Sequence, residues 1–193
     1  DIVLVAIDDR SLREVGRWPW RGSHYADMIA KLDDVSRKRT FVDLIIQGRS
    51  EPADDAAMAK AIEKAGNVTL AVSTRSGITG LGKQPVLLPP EILSEVSDLG
   101  LIAVAYNYQN AVWRLDYSRK VGDHTYQSFA AKLANADPKV SGTFMPDYST
   151  DPHSVRVIAA ADILNGRFDR KAIDGKDVVI GAASEGIGDE YFI

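Results

Sequence analysis

The sequence predicts an α/β fold: a mainly parallel sheet flanked by helices, with an antiparallel hairpin inserted in it. Three observations carry this expectation. Short continuous runs rich in β-branched residues recur, "IVLVAI" at 2–7, "TFVDLIIQ" at 40–47, "NVTLAVST" at 67–74 and "KDVVIGAA" at 176–183, the pattern of strands buried on both faces. Between the first three lie stretches whose apolar residues repeat at helical spacing. Such alternation with short connections builds a parallel sheet with helices on it. The rhythm then breaks between 85 and 119, where prolines and an alternating segment stand in place of a helix.

Taken in order, the first run ends at Asp8-Asp9-Arg10-Ser11, polar residues of turn-forming type. Ser23 is a good N-cap, and Tyr25, Met28, Ile29 and Leu32 follow as one apolar stripe on a helix. After the strand at 40–47, Asp54 is placed to cap a second helix. Met58, Ala61, Ile62 and Ala65 repeat the spacing there, and Gly66 supplies the stop. "PVLLPP" at 85–90 predicts a short edge strand bounded by prolines. "GLIAVAYNY" (100–108) and "VWRLDYSR" (112–119) flank the turn residues Gln109-Asn110-Ala111, and Trp113, Leu115 and Tyr117 alternate with Arg114, Asp116 and Ser118. Together these two runs predict the antiparallel hairpin. "YQSFAAKLANA" (126–136) is a helix with Phe129 and Leu133 on one face, and "TFMPDY" (143–148) a weak strand. Val155–Ile158 fits either a short strand or the first turn of a helix that runs through Leu164 and stops at Gly166. With no internal repeat, low-complexity tract or clear linker, residues 1–193 form one domain.

Composition narrows the function. The 193 residues are 45% hydrophobic and 26% charged, as in an ordinary globular domain, and the net charge of −4 argues against a nucleic-acid partner. There is no cysteine, which removes disulfides, thiolate chemistry and cysteine-ligated zinc. His24, His124 and His153 are scattered, without the spacing of metal ligands. The longest uncharged run, 99–113, is interrupted by Asn107, Gln109 and Asn110, and spanning a membrane takes about 20 mostly apolar residues. Gly77, Gly80, Gly82 and Lys83 lack the following helix that a phosphate loop requires. "GAASEGIGD" (181–189) follows a strand but lacks the Lys and Ser/Thr of such a loop, leaving at most a backbone anion nest. No Gly-x-Ser-x-Gly elbow is present. No cofactor, metal site or catalytic residue is expected.

Parallel strands place their carboxyl ends along one rim, where open α/β sheets bind ligands. Asp8 and Arg10 after the first strand, Arg49 after the second, Arg75 after the third and Asp189 after the last are therefore candidate ligand-binding residues. The competing reading makes them ordinary turn and cap residues. Asp43 is unusual within "FVDLII": a buried carboxylate needs a partner, and Arg10, Arg17 and Arg21 are candidates. The segment Trp18-Pro19-Trp20 stands between Arg17 and Arg21. Its proline keeps it out of the helix that follows, and side chains two apart on extended backbone leave on the same side. The two indoles are expected to plug the end of the sheet against the first helix. A platform for a planar ligand is the alternative.

The same residues carry a resemblance. "IVLVAIDDRSLREVGRWPWRGSHYADMIAKL", with its strand ending in Asp8 followed by Ser11-Leu12, Gly16, Trp18-Pro19-Trp20 and Arg21, resembles the opening of a CHASE type-2 domain, an extracellular sensory module of bacterial receptors. "FVDLIIQGRSEPADDAAMAKAIEKAGNVTLAV", "YQSFAAKLA" and "AADILNGRFDRKAIDGKDVVIGAASEGIGDEYF" are similar to its later blocks. The resemblance implies a non-enzymatic, periplasmic module that detects an unknown small-molecule ligand or the state of the envelope. It also implies flanking transmembrane helices and a cytoplasmic output domain in the same receptor, either a kinase (histidine or serine/threonine) or a nucleotide cyclase. A chain that opens at Asp1 rather than methionine and stops at Tyr191-Phe192-Ile193 fits a segment trimmed from such a receptor. Two other readings stand beside this one: a periplasmic metal-dependent α/β hydrolase using Asp8, Asp43 and Asp189, and a structural dimerisation module acting as a homodimer.

Overall fold

The first apolar run forms strand β1 (Ile2–Ile7), and its alternation decides the rest of the architecture. Val3, Val5 and Ile7 point to one face of the sheet and are fully buried there. The computed structural model describes residues 1–47, 51–74, 86–104, 112–149, 151–184 and 187. The helices are α1 (Asp9–Val15), α2 (Gly22–Asp33), α3 (Pro52–Ala65), α4 (Glu91–Ser94), α5 (Phe129–Leu133) and α6 (Ala160–Leu164). The strands after β1 are β2 (Arg39–Asp43), β3 (Val68–Thr74), β4 (Val86–Leu87), β5 (Asp98–Leu101), β6 (Leu115–Asp116), β7 (Ser118–Val121), β8 (His124–Gln127), β9 (Thr143–Phe144), β10 (Arg156–Ala159) and β11 (Asp177–Ala182).

The main sheet runs β10–β1–β11–β2–β3, with β5 parallel to β3 and the short β4 antiparallel to its end. The expected mainly parallel α/β sheet is thus present, and two small antiparallel sheets, β6–β9 and β7–β8, accompany it. One face carries the principal core. Val3, Val5, Ile7, Val42, Leu70, Val178 and Ile180 meet Tyr25, Met28, Ile29 and Leu32 of α2, Met58 and Ile62 of α3, and Ile163 of α6. Each such aliphatic side chain contributes about 1.5–3 kcal/mol when fully buried. On the opposite face Phe41 and Ala71 pack under Phe129 of α5. Gly100 makes this possible: a Cβ there would lie 2.5 Å from the Phe129 ring. The part of this face made by β10 and β1 stays open among the described residues, with Val157 57% exposed.

Several local expectations change. Ser23 lies inside α2, whose N-cap is Arg21. Asp8–Ser11 is not a turn but the start of α1, because the Asp8 carboxylate accepts the Ser11 backbone N–H at 2.7 Å and caps the helix. Asp54 lies inside α3 rather than at its cap, and its carboxylate accepts from Arg21 Nε at 2.7 Å. The hairpin is displaced. Residues 98–101 join the main sheet parallel to β3, and the actual hairpin is β7–β8 about Gly122, whose φ of +63° suits glycine. The expected turn at 109–111 lies outside the described residues. Val155–Ile158 resolves in favour of a strand: β10 pairs with β1, and α6 begins only at Ala160.

Candidate functional site

The carboxyl ends of β1, β11 and β2 meet along one rim, as their parallel register requires. Asp8 is there, as the cap of α1. Arg10 turns along the helix surface. Its Nε donates to Glu14 Oε1 at 2.7 Å, and its two terminal nitrogens donate to Asp162 at 3.1 and 2.6 Å. Arg167 donates to the same Glu14 and Asp162. The four charges cancel and tie α1 to α6. Hydrogen bonds from Arg167 and Arg10 hold the Glu14 carboxyl below its ordinary range, and bonds to Glu14 and Asp162 raise Arg10. Asp9 accepts from the Ser184 hydroxyl at the end of β11. Arg49, Arg75 and Asp189 lie outside the described residues. Of the five rim candidates, then, the structure places Asp8 and Arg10, and gives both intramolecular partners. Ser11, read from the sequence as a turn residue, is fully buried, and its Oγ accepts the Ala161 backbone N–H at 3.1 Å.

Asp43 is half-buried, and strand alternation puts it beside Phe41 on the face away from α2. Of the first-loop arginines, Arg10 pairs with Glu14 and Asp162, and Arg21 with Asp54. Among the described residues no three His, Asp or Glu side chains converge on a metal position. The two tryptophans divide their roles. Trp20 is buried, donates its indole N–H to Gly16 O at 3.0 Å, and lies against His24 and Tyr25 at centroid distances of 5.8 and 6.5 Å. Trp18, half-buried, leans on Trp20 at 6.2 Å, and the Trp18–Pro19 peptide is cis.

A cavity of about 240 Å³ opens at the other end of the sheet, lined by Arg39, Phe41, Thr69, Asp98, Gln127, Lys132, Asn135 and Ala136. Its floor is one cross-sheet row, because Phe41 is in register with Thr69 and Thr69 with Asp98. Side chains in register on parallel strands share a face. The walls come from the end of β8, which supplies Gln127, and from α5 and the turn after it. Arg39 holds the wall in place. It grips Asp177 through Nε and Nη2 at 2.8 and 2.7 Å, and it donates to the carbonyls of Lys132 and Leu133 and to Asn135 Oδ1. That grip lowers the Asp177 carboxyl and raises Arg39. Lys132 is ion-paired with Asp98 at the mouth. Gln127 donates to Ala136 O, and its own amide oxygen has no bond among the described residues.

No helix among the described residues is long and apolar enough to cross a membrane. No curated protein matches the chain, and no solved structure does. The model of the CHASE2 domain, a family of extracellular sensory domains of signalling receptors, matches residues 1–193. From its opening strand to its last residue, the chain belongs to the CHASE2 domain family.

Proposed function

We propose that this chain is the periplasmic sensory domain of a bacterial transmembrane receptor, coupled to a cytoplasmic kinase or nucleotide cyclase. The observation that supports it most is the family match along the whole chain. The domain is read as a binding module without chemistry of its own. A ligand held by it biases the receptor by binding one of two receptor states more tightly than the other.

Location and function are tested together. The chain contains no cysteine, so Met145→Cys, at a position 71% exposed, supplies a single thiol in this domain. In intact cells expressing the full receptor, a membrane-impermeant maleimide labels that thiol if the domain is extracytoplasmic. Protection until the cells are lysed argues for a cytoplasmic position and against the proposal. Deleting the domain from the receptor is expected to leave basal output while abolishing its change with external conditions. An unchanged response assigns sensing to another part of the receptor.

A further inference from the structure

We infer that the cavity at the amino ends of β2, β3 and β5 binds a small zwitterion of the free amino-acid type; this rests on the sensory reading above and names its ligand class. The cavity's 240 Å³ is below the usual range for drug-sized ligands and suits a smaller molecule. Its charges balance, Arg39 and Lys132 against Asp98 and Asp177. A ligand with net charge would therefore bring an uncompensated ion into a partly enclosed site.

The available groups define the chemistry further. A guanidinium has five N–H donors, and those of Arg39 are taken by Asp177, two backbone carbonyls and Asn135, so Arg39 is scaffold. Lys132 spends one of its three donors on Asp98. Asp98 keeps acceptor capacity beyond Lys132 and the Leu99 backbone N–H. A cation and an anion side by side at the mouth match a ligand that carries both. The ligand's carboxylate goes to Lys132 and its ammonium to Asp98, closing a neutral ring of four charges like that of Arg10, Glu14, Asp162 and Arg167. Gln127 and Asn135 also line the cavity, and beyond the bonds to Ala136 O and from Arg39 their amides offer an acceptor and a donor to a polar side chain. The cavity is also two hydrogen bonds from Asp1, the residue before the first strand. Arg39 grips Asp177, whose backbone N–H donates to Asp1 O, and Lys176 donates to the Asp1 carboxylate.

The test is calorimetric titration of the 193-residue chain with each common L-amino acid, and with the N-acetyl and amide derivatives of the strongest binder. Saturable binding of at least one amino acid is expected, weakened about tenfold or more when either charge is blocked. Lys132→Met and Asp98→Asn are each expected to weaken it by a similar factor. Urea melts of both variants establish that they fold, and Gln127→Ala, away from the ion pair, is expected to change which amino acid binds best. Glu14→Gln, outside the cavity lining, is expected to leave the affinity unchanged. The inference is overturned if no amino acid binds at about 10 mM, if both charge variants bind like the parent, or if Glu14→Gln alone loses binding. An intact receptor that answers a stimulus but ignores amino acids keeps the sensory reading and removes this site. Binding that persists in a domain whose deletion leaves output unchanged does the reverse.

Discussion

Gly100→Ala isolates one contact on which the second face of the sheet depends. A Cβ at this position would lie 2.5 and 2.6 Å from two atoms of the Phe129 ring and 3.2 Å from Thr69 Cγ2. Carbon atoms rest about 3.5–4.0 Å apart, so the ring must retreat by about 1 Å or more. Its retreat is opposed. Phe129 makes an edge contact with Phe41 at a centroid distance of 5.4 Å, and the carbonyls that end α5 are held by Arg39. Overpacking of this kind costs about 1–3 kcal/mol, offset by about 0.5–1 kcal/mol from removing a strand glycine, for a net loss of about 1–2 kcal/mol. Phe129→Ala alone should cost about 3–5 kcal/mol. In that background Gly100→Ala has nothing to strike and becomes neutral or mildly stabilising, a coupling of about 1–3 kcal/mol. Equilibrium urea unfolding of the four proteins measures this, reading midpoints at constant slope. If Phe129→Ala does not fold, Phe129→Leu takes its place in the cycle. A parent-like Gly100→Ala, or an equal cost in both backgrounds, refutes the steric argument.

Trp20→Ala should lose about 3–5 kcal/mol in the same assay, the range for a buried large aromatic, and Trp18→Ala distinctly less because that ring is half-buried. Equal losses at the two positions would contradict their division of roles. Asp177→Asn should cost about 1.5–3 kcal/mol through its charged hydrogen bonds to Arg39. The pH dependence carries the sign. The folded Asp177 carboxyl is lowered by Arg39, so its contribution is complete above its unfolded value of about 3.9 and is lost as pH falls through the folded value. The parent should therefore lose stability more steeply below about pH 4 than the variant does, and parallel acid limbs would refute the pairing. Glu14→Gln, in an exposed cluster, should shift the urea midpoint only slightly, and about 1 M salt should erase the difference.

What was legible in the sequence follows from the range of the interactions. The strands at 2–7, 68–74 and 177–182 and the helices α2 and α3 announce themselves through local periodicity. Helix α1 does not, because its seven residues are mostly polar and it forms on the strength of one aspartate cap. The expected hairpin paired residues 100–108 with the next suitable run, but Asp98–Leu101 found a partner much earlier in the chain, at Thr69–Val72. At the rim, the positions of Asp8 and Arg10 could be read, and the bond from Arg10 to Asp162 could not, since Asp162 is 152 residues away. The cavity left no trace in the sequence at all. Its lining comes from β2, β3, β5, β8, α5 and the turn after it, and only the register between strands brings Phe41, Thr69 and Asp98 into a row.

The place of β11 has a consequence for how the chain is made. It is the last of the described strands, yet it lies between β1 and β2, the first two, pairing Val3 with Val178 and Phe41 with Val179. Until residues 177–182 have been synthesised, the main sheet exists only as two fragments, β10 with β1 and β2 with β3 and β5, each with an unpaired apolar edge. Such edges are templates for association with other chains. Contacts so far apart in sequence also form slowly. A chain that stops before Asp177 therefore leaves two half-sheets with open apolar edges, and β11 is the strand that closes the gap between them.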